Sequence, residues 1–251
     1  MVRILLSNDD GIASEGLRTL YDSLSPLGEI TVFAPDREQS AVGHSLSLHR
    51  PLRVQSMGNN WFAVDGTPTD CINLALNGFF KDQRPNIVLS GINKGGNLGD
   101  DITYSGTVAA AMEATLLGIP SAAISLAHKN GEYLNFDLAA NFAPKIVRAI
   151  IEHGLERGVL LNVNVPNISE KDCRGIRVTR QGRRVYGDPI VEKFDPRGRE
   201  YYWIGGSSLD WVQEGGTDFE AVTENAISVT PIRLDLTDFD AIHDIDKWVF
   251  E

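Results

Sequence analysis

The chain has little cysteine, no long apolar run and no excess of positive charge. Two thiols, Cys71 and Cys173, in 251 residues build no disulfide framework. No stretch of roughly 18 consecutive apolar residues occurs, so no transmembrane helix is predicted. The N-terminus enters an apolar run directly, without the basic and cleavable flanks of a signal peptide, and a cytoplasmic location is expected. Lys and Arg number 23 against 34 Asp and Glu, and a net charge of −11 repels polyanions. Nonspecific binding to nucleic acid or to an anionic membrane is therefore not expected. A small phosphate ester stays compatible if a local cation or a helix N-terminus overrides that field. With 42% hydrophobic and 23% charged residues the composition is that of an ordinary globular protein. The length accommodates one large α/β domain or two small ones.

The densest signal lies at the start. Arg3-Ile4-Leu5-Leu6-Ser7 is too short for a helix and does not alternate, so it reads as a strand buried on both faces. From Glu15 a helical pattern follows, with Leu17, Leu20, Tyr21 and Leu24 on one face. Asp9 and Asp10, followed by Gly11, then sit where a central parallel strand meets its first crossover, the end at which open α/β sheets bind ligands. Adjacent like charges are unfavourable unless neutralised, and a divalent cation with oxygen ligands would do so. The competing reading is that one aspartate caps the helix and the other is solvated.

Glu29 to Ala34 is a second short strand ended by Pro35, which completes a β-α-β unit. The loop from Pro35 to Ser40 leaves the same sheet edge as the two aspartates; a loop serine alone usually makes a turn. Ser45 to Val54 alternates loosely and reads as strand, as does Trp61 to Val64. Thr67-Pro68-Thr69-Asp70 has the form of an N-cap, a proline at the first helical position and a capping-box acid.

Ile87-Val88-Leu89 is a buried strand delivering Ser90 to Asp101, where four glycines predict loop rather than helix or strand. Asn93 and Asn97 supply neutral oxygens there. Ser105 or Thr107 begins a strong helix over Val108 to Leu117, whose free N–H groups and dipole favour an anion. Gly106 is expected to leave space for a phosphate. Strand, helix and strand then follow over Ser121 to Ala127, Asn135 to His153 and Val159 to Val165. The alternation predicts a doubly wound, mostly parallel sheet, Rossmann-like and three-layered.

From Arg180 to Gly216 the chain is rich in Gly, Arg and aromatics and lacks helical periodicity. It reads as extended hairpins that pack on a neighbouring subunit. Phe239, Ile242, Ile245, Trp248 and Val249 form the apolar face of a last helix, which docks on its own core or on a partner.

Two other classes fit poorly. A receiver-type signalling domain needs a phospho-accepting aspartate ending its third strand, where this chain has Ser90-Gly91-Ile92-Asn93. A dinucleotide-binding oxidoreductase needs glycine spacing in the first turn, where Asp9 and Asp10 would repel a pyrophosphate.

Asn8-Asp9-Asp10-Gly11, Ala34-Pro35-Asp36 with Ser40, Gly66-Thr67-Pro68-Thr69-Asp70-Cys71, Ser90-Gly91-Ile92-Asn93 with Gly95 and Asn97, and Tyr104-Ser105-Gly106-Thr107 resemble the motifs of the SurE (survival protein E) phosphatase family. Leu161-Asn162-Val163-Asn164-Val165-Pro166 and Val229-Thr230-Pro231-Ile232 match its later segments in the same order, so the resemblance covers nearly the whole chain. It implies a metal-dependent phosphatase of nucleoside monophosphates, 5′ and 3′, and of short polyphosphate in some members. It implies one divalent cation held by Asp9, Asp10, Ser40 and Asn93. The oxygen ligand set suits Mg²⁺ or Mn²⁺ better than Zn²⁺. On the joint reading, the cation activates water and polarises a phosphoryl oxygen. Asp9, Asp10, Asn97 and Ser105 are the expected catalytic residues, and Asn97, Ser105, Gly106 and Thr107 the expected phosphate site. The alternative is a non-catalytic nucleotide-binding module on the same fold. The family resemblance also implies a homodimer or homotetramer built through the arm and last helix. It places residues 1–251 in one domain, with a core to about 175. Many members carry histidine after the Thr-Pro-Ile segment; Arg233 stands there in this chain, so a histidine acid is lacking.

Overall fold

The computed structural model describes residues 1–129, 131–186, 190–204 and 209–248. Its first elements are β1 (Val2–Ser7), α1 (Glu15–Leu24), β2 (Gly28–Pro35), β3 (Val54–Gly58), β4 (Trp61–Val64) and α2 (Pro68–Leu74). β5 (Ile87–Lys94), α3 (Gly106–Leu116), β6 (Ser121–Ala127), α4 (Asp137–His153) and β7 (Val159–Pro166) follow. The last part contains β8 (Ile176–Val178), β9 (Arg184–Tyr186), β10 (Ile190–Phe194), β11 (Glu200–Ile204) and β12 (Leu209–Trp211). It ends with α5 (Asp218–Thr223), β13 (Ile227–Arg233) and α6 (Phe239–Ile245).

Nine strands make one sheet in the order β3-β4-β2-β1-β5-β6-β7-β13-β8. Every neighbouring pair from β4 to β7 is parallel, while β3 and β13 join antiparallel. The expected mostly parallel α/β sheet is what forms. Side chains alternate across it. Ile4 and Leu6 face Leu17, Leu20 and Leu24 of α1 and Phe142, Ile146 and Ile150 of α4. Leu5 and Val88 face Ile72 of α2 and Ala110 and Ala114 of α3. Both faces are covered, which is why these strands are apolar at every position and show no alternation in the sequence.

The strand order positions the site. The chain builds from β1 outward through β2 to β4, then returns to the other side of β1 to lay down β5, β6 and β7. The direction of winding therefore reverses between β1 and β5. At such a switch point the two crossovers leave on opposite faces and open a crevice beyond the strand ends.

Two local expectations fail. Ser45 to Arg53 is not strand; β3 begins only at Val54. Its backbone is engaged elsewhere, with the Ser45 carbonyl accepting from the Thr67 hydroxyl and the Ser47 amide donating to Asp70. The glycine-rich run after Leu89 is partly ordered strand, since β5 continues to Lys94. Pairing with β6 on its flank holds it there, with a register shift between Gly91 and Asn93. Glycine is required at 91 because a Cβ would lie 2.2 Å from the Ile124 carbonyl oxygen.

The arm does form hairpins, with β10 paired to β11 and β9 to β12, both antiparallel. Residues 187–189 and 205–208 of the arm, and Val249 of the expected helix face, lie outside the described residues. Phe239, Ile242, Ile245 and Trp248 are all exposed, so the apolar face of α6 is not docked on the core of its own chain. Among the described residues no helix is long and apolar enough to cross a membrane.

Gly16 sets how closely α1 lies on β5: a Cβ there would meet the Ile92 carbonyl oxygen at 2.0 Å. Helix propensity alone would make Gly16→Ala stabilising by about 1 kcal/mol. The backbone clash should reverse the sign, to a loss of about 1–3 kcal/mol in urea unfolding. A stabilised variant would mean that α1 can retreat from the sheet without loss.

Candidate active site

The turn after β1 is built around Asn8, which is fully buried. Its carboxamide nitrogen donates to the Gly11 carbonyl at 3.0 Å and to the Ser14 hydroxyl oxygen at 2.7 Å. Ser14 is the N-cap of α1, accepting from the Leu17 amide. The aspartates are therefore not the helix cap, and the competing reading of the acidic pair falls.

Asp9 is 7% exposed and accepts a hydrogen bond from the Thr107 hydroxyl. Its carbonyl accepts from the Gln39 amide at 2.7 Å. Gly11, at φ +94, lies against Arg37, where a Cβ would come within 3.0 Å of the carbonyl carbon. The acidic turn and the loop after β2 thus lock together, which delivers Ser40 to the crevice. Asp10 accepts from the Lys94 amide at 2.9 Å, tying the turn to the end of β5. Burial pushes the Asp9 carboxyl up to about 6, against the pull of the Thr107 hydroxyl and with a further push from Asp10. Burial also raises Asp10, opposed by the Lys94 amide and charge.

Asp9, Asp10, Ser40, Asn93, Asn97 and Ser105 line one cleft of about 210 Å³. Ser40 donates to Glu38 at 2.6 Å, and the Asn93 carboxamide nitrogen donates to the Gly95 carbonyl at 2.8 Å. Lone pairs on the Ser40 hydroxyl and the Asn93 carboxamide oxygen are left as neutral acceptors. Among the described residues no group of three or more His, Cys, Asp or Glu is placed to hold a metal ion. The acidic donors assigned to a cation here are the Asp9–Asp10 pair alone.

On the other wall Ser105 caps α3, accepting from the Val108 amide at 3.1 Å. The N–H groups of Gly106 and Thr107 then have no intrahelical acceptor. One expectation changes here. Thr107 is fully buried and its hydroxyl serves Asp9, so only its backbone is available to an anion. Gly106 makes room for Asp9: a Cβ would lie 2.8 Å from Asp9 Cβ and 3.0 Å from Asp9 Oδ2.

Asn97 is fixed from below by side chains of the sheet. Its amide donates to Asn164 Oδ1 at 2.8 Å, and its carbonyl accepts from the Asn162 and Asn164 nitrogens at 2.8 and 3.0 Å. Its own carboxamide nitrogen donates to Ser125 Oγ at 2.7 Å. Sequence reasoning read Asn162-Val163-Asn164 only as strand. Two asparagines alternating with valines in a strand buried on both faces were the available signal.

Asp101 and Tyr104, from the loop and motif already singled out, also line the cleft, as do Glu38 and Lys94, which sequence reasoning gave no role. Asp101 is ion-paired with Arg184 of β9, whose guanidinium lies 4.9 Å from the Phe219 ring centroid, so the foot of the arm reaches the cleft rim. Arg233 is elsewhere. It aligns with Val159, the first residue of β7, and pairs with Glu156 at 2.8 Å, on the sheet edge opposite Asp9.

A family model described as Survival protein SurE matches residues 4–188. A protein of Geotalea daltonii named 5′-nucleotidase SurE is 52% identical over 247 residues, covering 98% of this chain and 99% of that protein. A protein of Myxococcus xanthus with the same name is 52% identical over 249 residues, covering 98% and 93%. A crystal structure of SurE protein from Aquifex aeolicus superposes with a TM-score of 0.88 at 42% identity, covering 97% of this chain and 98% of that one. Likeness of this extent, in sequence and in fold, places the chain in the SurE family.

Proposed function

We propose that the chain is a 5′-nucleotidase that hydrolyses nucleoside monophosphates to nucleoside and phosphate. The observation that carries this reading is the facing of two walls across one cleft: adjacent aspartates, one buried and one half-buried, on one, a capped helix start on the other. Two relatives at 52% identity over nearly the full chain bear the corresponding name. The finer reading extends to 3′-nucleotides and short polyphosphate as substrates, to a cytoplasmic setting, and to residues 1–251 acting as one unit.

A divalent cation fits the first wall. Asp9 and Asp10 are both raised by burial, and among the described residues Lys94 is the only cationic one lining the cleft, so negative charge there is under-compensated. Two carboxylates, a hydroxyl and a carboxamide oxygen make a hard donor set suited to Mg²⁺ or Mn²⁺. Asp9, Asp10, Ser40 and Asn93 would hold the ion. Bound there, it supplies a Lewis acid that lowers the pKa of water and withdraws charge from a phosphoryl oxygen.

The chain's own groups do the rest. Thr107 holds the Asp9 carboxylate, the Gln39 amide holds its backbone, and the Lys94 amide holds the Asp10 carboxylate, so both are oriented beforehand. The α3 start offers the Gly106 and Thr107 amides to phosphoryl oxygens, with Ser105 beside them. Asn97 contributes a donor after a half-turn of its carboxamide, with Ser125 then donating to the oxygen. Losing one such contact in the transition state typically costs about 2.7–4 kcal/mol. Lys94 offsets part of the acidic field that would otherwise repel a phosphate dianion.

Phosphate release from a panel of nucleoside monophosphates, with and without chelator, tests the reaction. Turnover should vanish on chelation and return with Mg²⁺ or Mn²⁺. Nucleotide binding with no turnover under any metal would leave the non-catalytic module instead.

Asp9→Asn separates the metal role from a structural one. Rate and metal affinity should fall by orders of magnitude. The folded-state carboxyl is raised from 3.8 to about 6, so the penalty it imposes on the fold is absent below pH 3.8 and full above about 6. Without metal at neutral pH, Asp9→Asn should therefore be more stable than the parent, by on the order of 1–3 kcal/mol. A metal-free variant that melts lower would remove the argument that Asp9 is held under charge strain.

Gly106→Ala should act through Asp9, weakening metal binding together with turnover. If metal affinity survives while inorganic phosphate no longer inhibits, the glycine serves the phosphate after all.

The exposed Tyr202, Trp203, Phe239 and Ile242 are taken to form subunit contacts in a homodimer or homotetramer. Trp203→Asp with Ile242→Asp should lower the mass seen by light scattering, and an unchanged mass would place the interface elsewhere.

A further inference from the structure

Glu113 is a carboxylate buried in the middle of α3 at 5% exposure, and the reaction described above makes no use of it. It has two side-chain partners on opposite sides. Asn73 of α2 donates to Oε1 at 2.7 Å, and His44 Nε2 lies 2.8 Å from Oε2. These bonds hold the Glu113 carboxyl below its ordinary range against burial, the largest influence on it. His44 belongs to the irregular segment that follows Ser40. The segment is tied down at four neighbouring points, all on the starts and bodies of α2 and α3. The Gly43 amide donates to the Tyr104 carbonyl at 3.1 Å, and His44 meets Glu113. The Ser45 carbonyl accepts from Thr67 Oγ1 at 2.8 Å, and the Ser47 amide donates to Asp70 Oδ1 at 2.9 Å. Immediately before these ties, Ser40 and Ala41 line the cleft.

We propose that His44 is a positioning residue: its bond to Glu113 straps the 40–47 segment across α2 and α3 and so fixes Ser40 opposite Asp9 and Asp10. The proposal rests on the reading of Ser40 as a cation ligand. Of the four ties, two end on a buried carboxylate, Ser47 on Asp70 and His44 on Glu113, and the His44 tie is the one made between two side chains. Without His44 the Glu113 carboxylate would keep only Asn73, a strongly unfavourable state, so undocking the segment is resisted more than the three backbone ties alone would manage. Ser40 donates its proton to Glu38, and its oxygen faces the aspartates only while the strap holds. The two walls of the cleft are coupled in this way. The segment carrying a metal ligand is bolted to the same helix whose start is offered to the phosphate.

The test uses the full chain and Mn²⁺ alone, with binding read by titration calorimetry and by the electron paramagnetic resonance signal of free Mn²⁺. His44→Ala should weaken Mn²⁺ binding by about 10-fold or more, the usual effect of losing a residue that orients a ligand. His44→Gln, which still donates to Glu113, should recover most of that loss. Hydrogen exchange of the metal-free protein supplies a second readout: the Gly43 and Ser47 amides should exchange about 10-fold faster or more in His44→Ala, with the β1 and β5 amides unchanged. If His44→Ala fails to fold, the double variant His44→Ala with Glu113→Ala removes the stranded carboxylate and carries the same measurements. Parent-like Mn²⁺ affinity in a folded His44→Ala overturns the positioning role and leaves the nucleotidase reading intact. A parent chain that binds no Mn²⁺ overturns the metal reading itself and the positioning role with it.

Discussion

Two carboxylates on consecutive residues, both raised by burial, set the terms for what surrounds them. Asp9 is tolerable at its depth only because a threonine hydroxyl and a tightly closed turn hold it, and those come from parts of the chain far apart in sequence. Thr107 must stand at the start of α3, Gly106 must lack a side chain, and Gly11 must let the loop after β2 come within contact. The reversal of winding between β1 and β5 is what lets these requirements meet at one place. A strand order without that reversal would cover the Asp9 carboxylate with a crossover and leave no crevice.

Much of this was legible in the amino-acid sequence because it depends on local pattern. Apolar runs of strand length, the Leu17, Leu20 and Leu24 stripe, and the Thr67–Asp70 capping box each carry their own period or spacing, and each forms as read. The position of Asp9 and Asp10 at a strand end followed from the same logic. What escaped is non-local. Ser45 to Arg53 has the loose alternation of a strand, yet bonds to Thr67 and Asp70 at the start of α2 claim its backbone. The glycines after Ser90 signal loop by composition, but flanking strands hold the first of them in the sheet. Lys94 and Glu38 reach the cleft because their segments bond to the Asp9–Asp10 turn, which lies 84 residues before Lys94 and 30 before Gln39. The contact that Gly106 makes with Asp9 is hidden for a simpler reason. Its neighbour in space is a side chain 97 residues earlier, which no window of sequence reveals.

The second part of the chain follows a different logic from the first. The arm is anchored where it leaves the sheet. Asp218, fully buried, accepts from the Gly99 and Gly182 amides at 2.8 and 2.9 Å, and Trp211 stacks on Phe219 at 5.4 Å between centroids. Further out it presents Tyr201, Tyr202, Trp203 and Ile204 to solvent, on a hairpin too small to bury them itself. Gly99 lies two residues from Asn97, so the anchor of the arm and the floor of the cleft are a single stretch of backbone.

Asn162 and Asn164 have no exposed surface, yet from one face of β7 they grip both backbone groups of Asn97. The working part of this molecule therefore has depth as well as a surface. A substitution at either asparagine would look, on burial alone, like an ordinary core lesion, while its first effect would be to release a residue that lines the cleft. A library designed to vary the reaction by changing only solvent-facing positions would leave these two levers untouched, and one designed to stabilise the core by replacing buried polar residues with apolar ones would remove them.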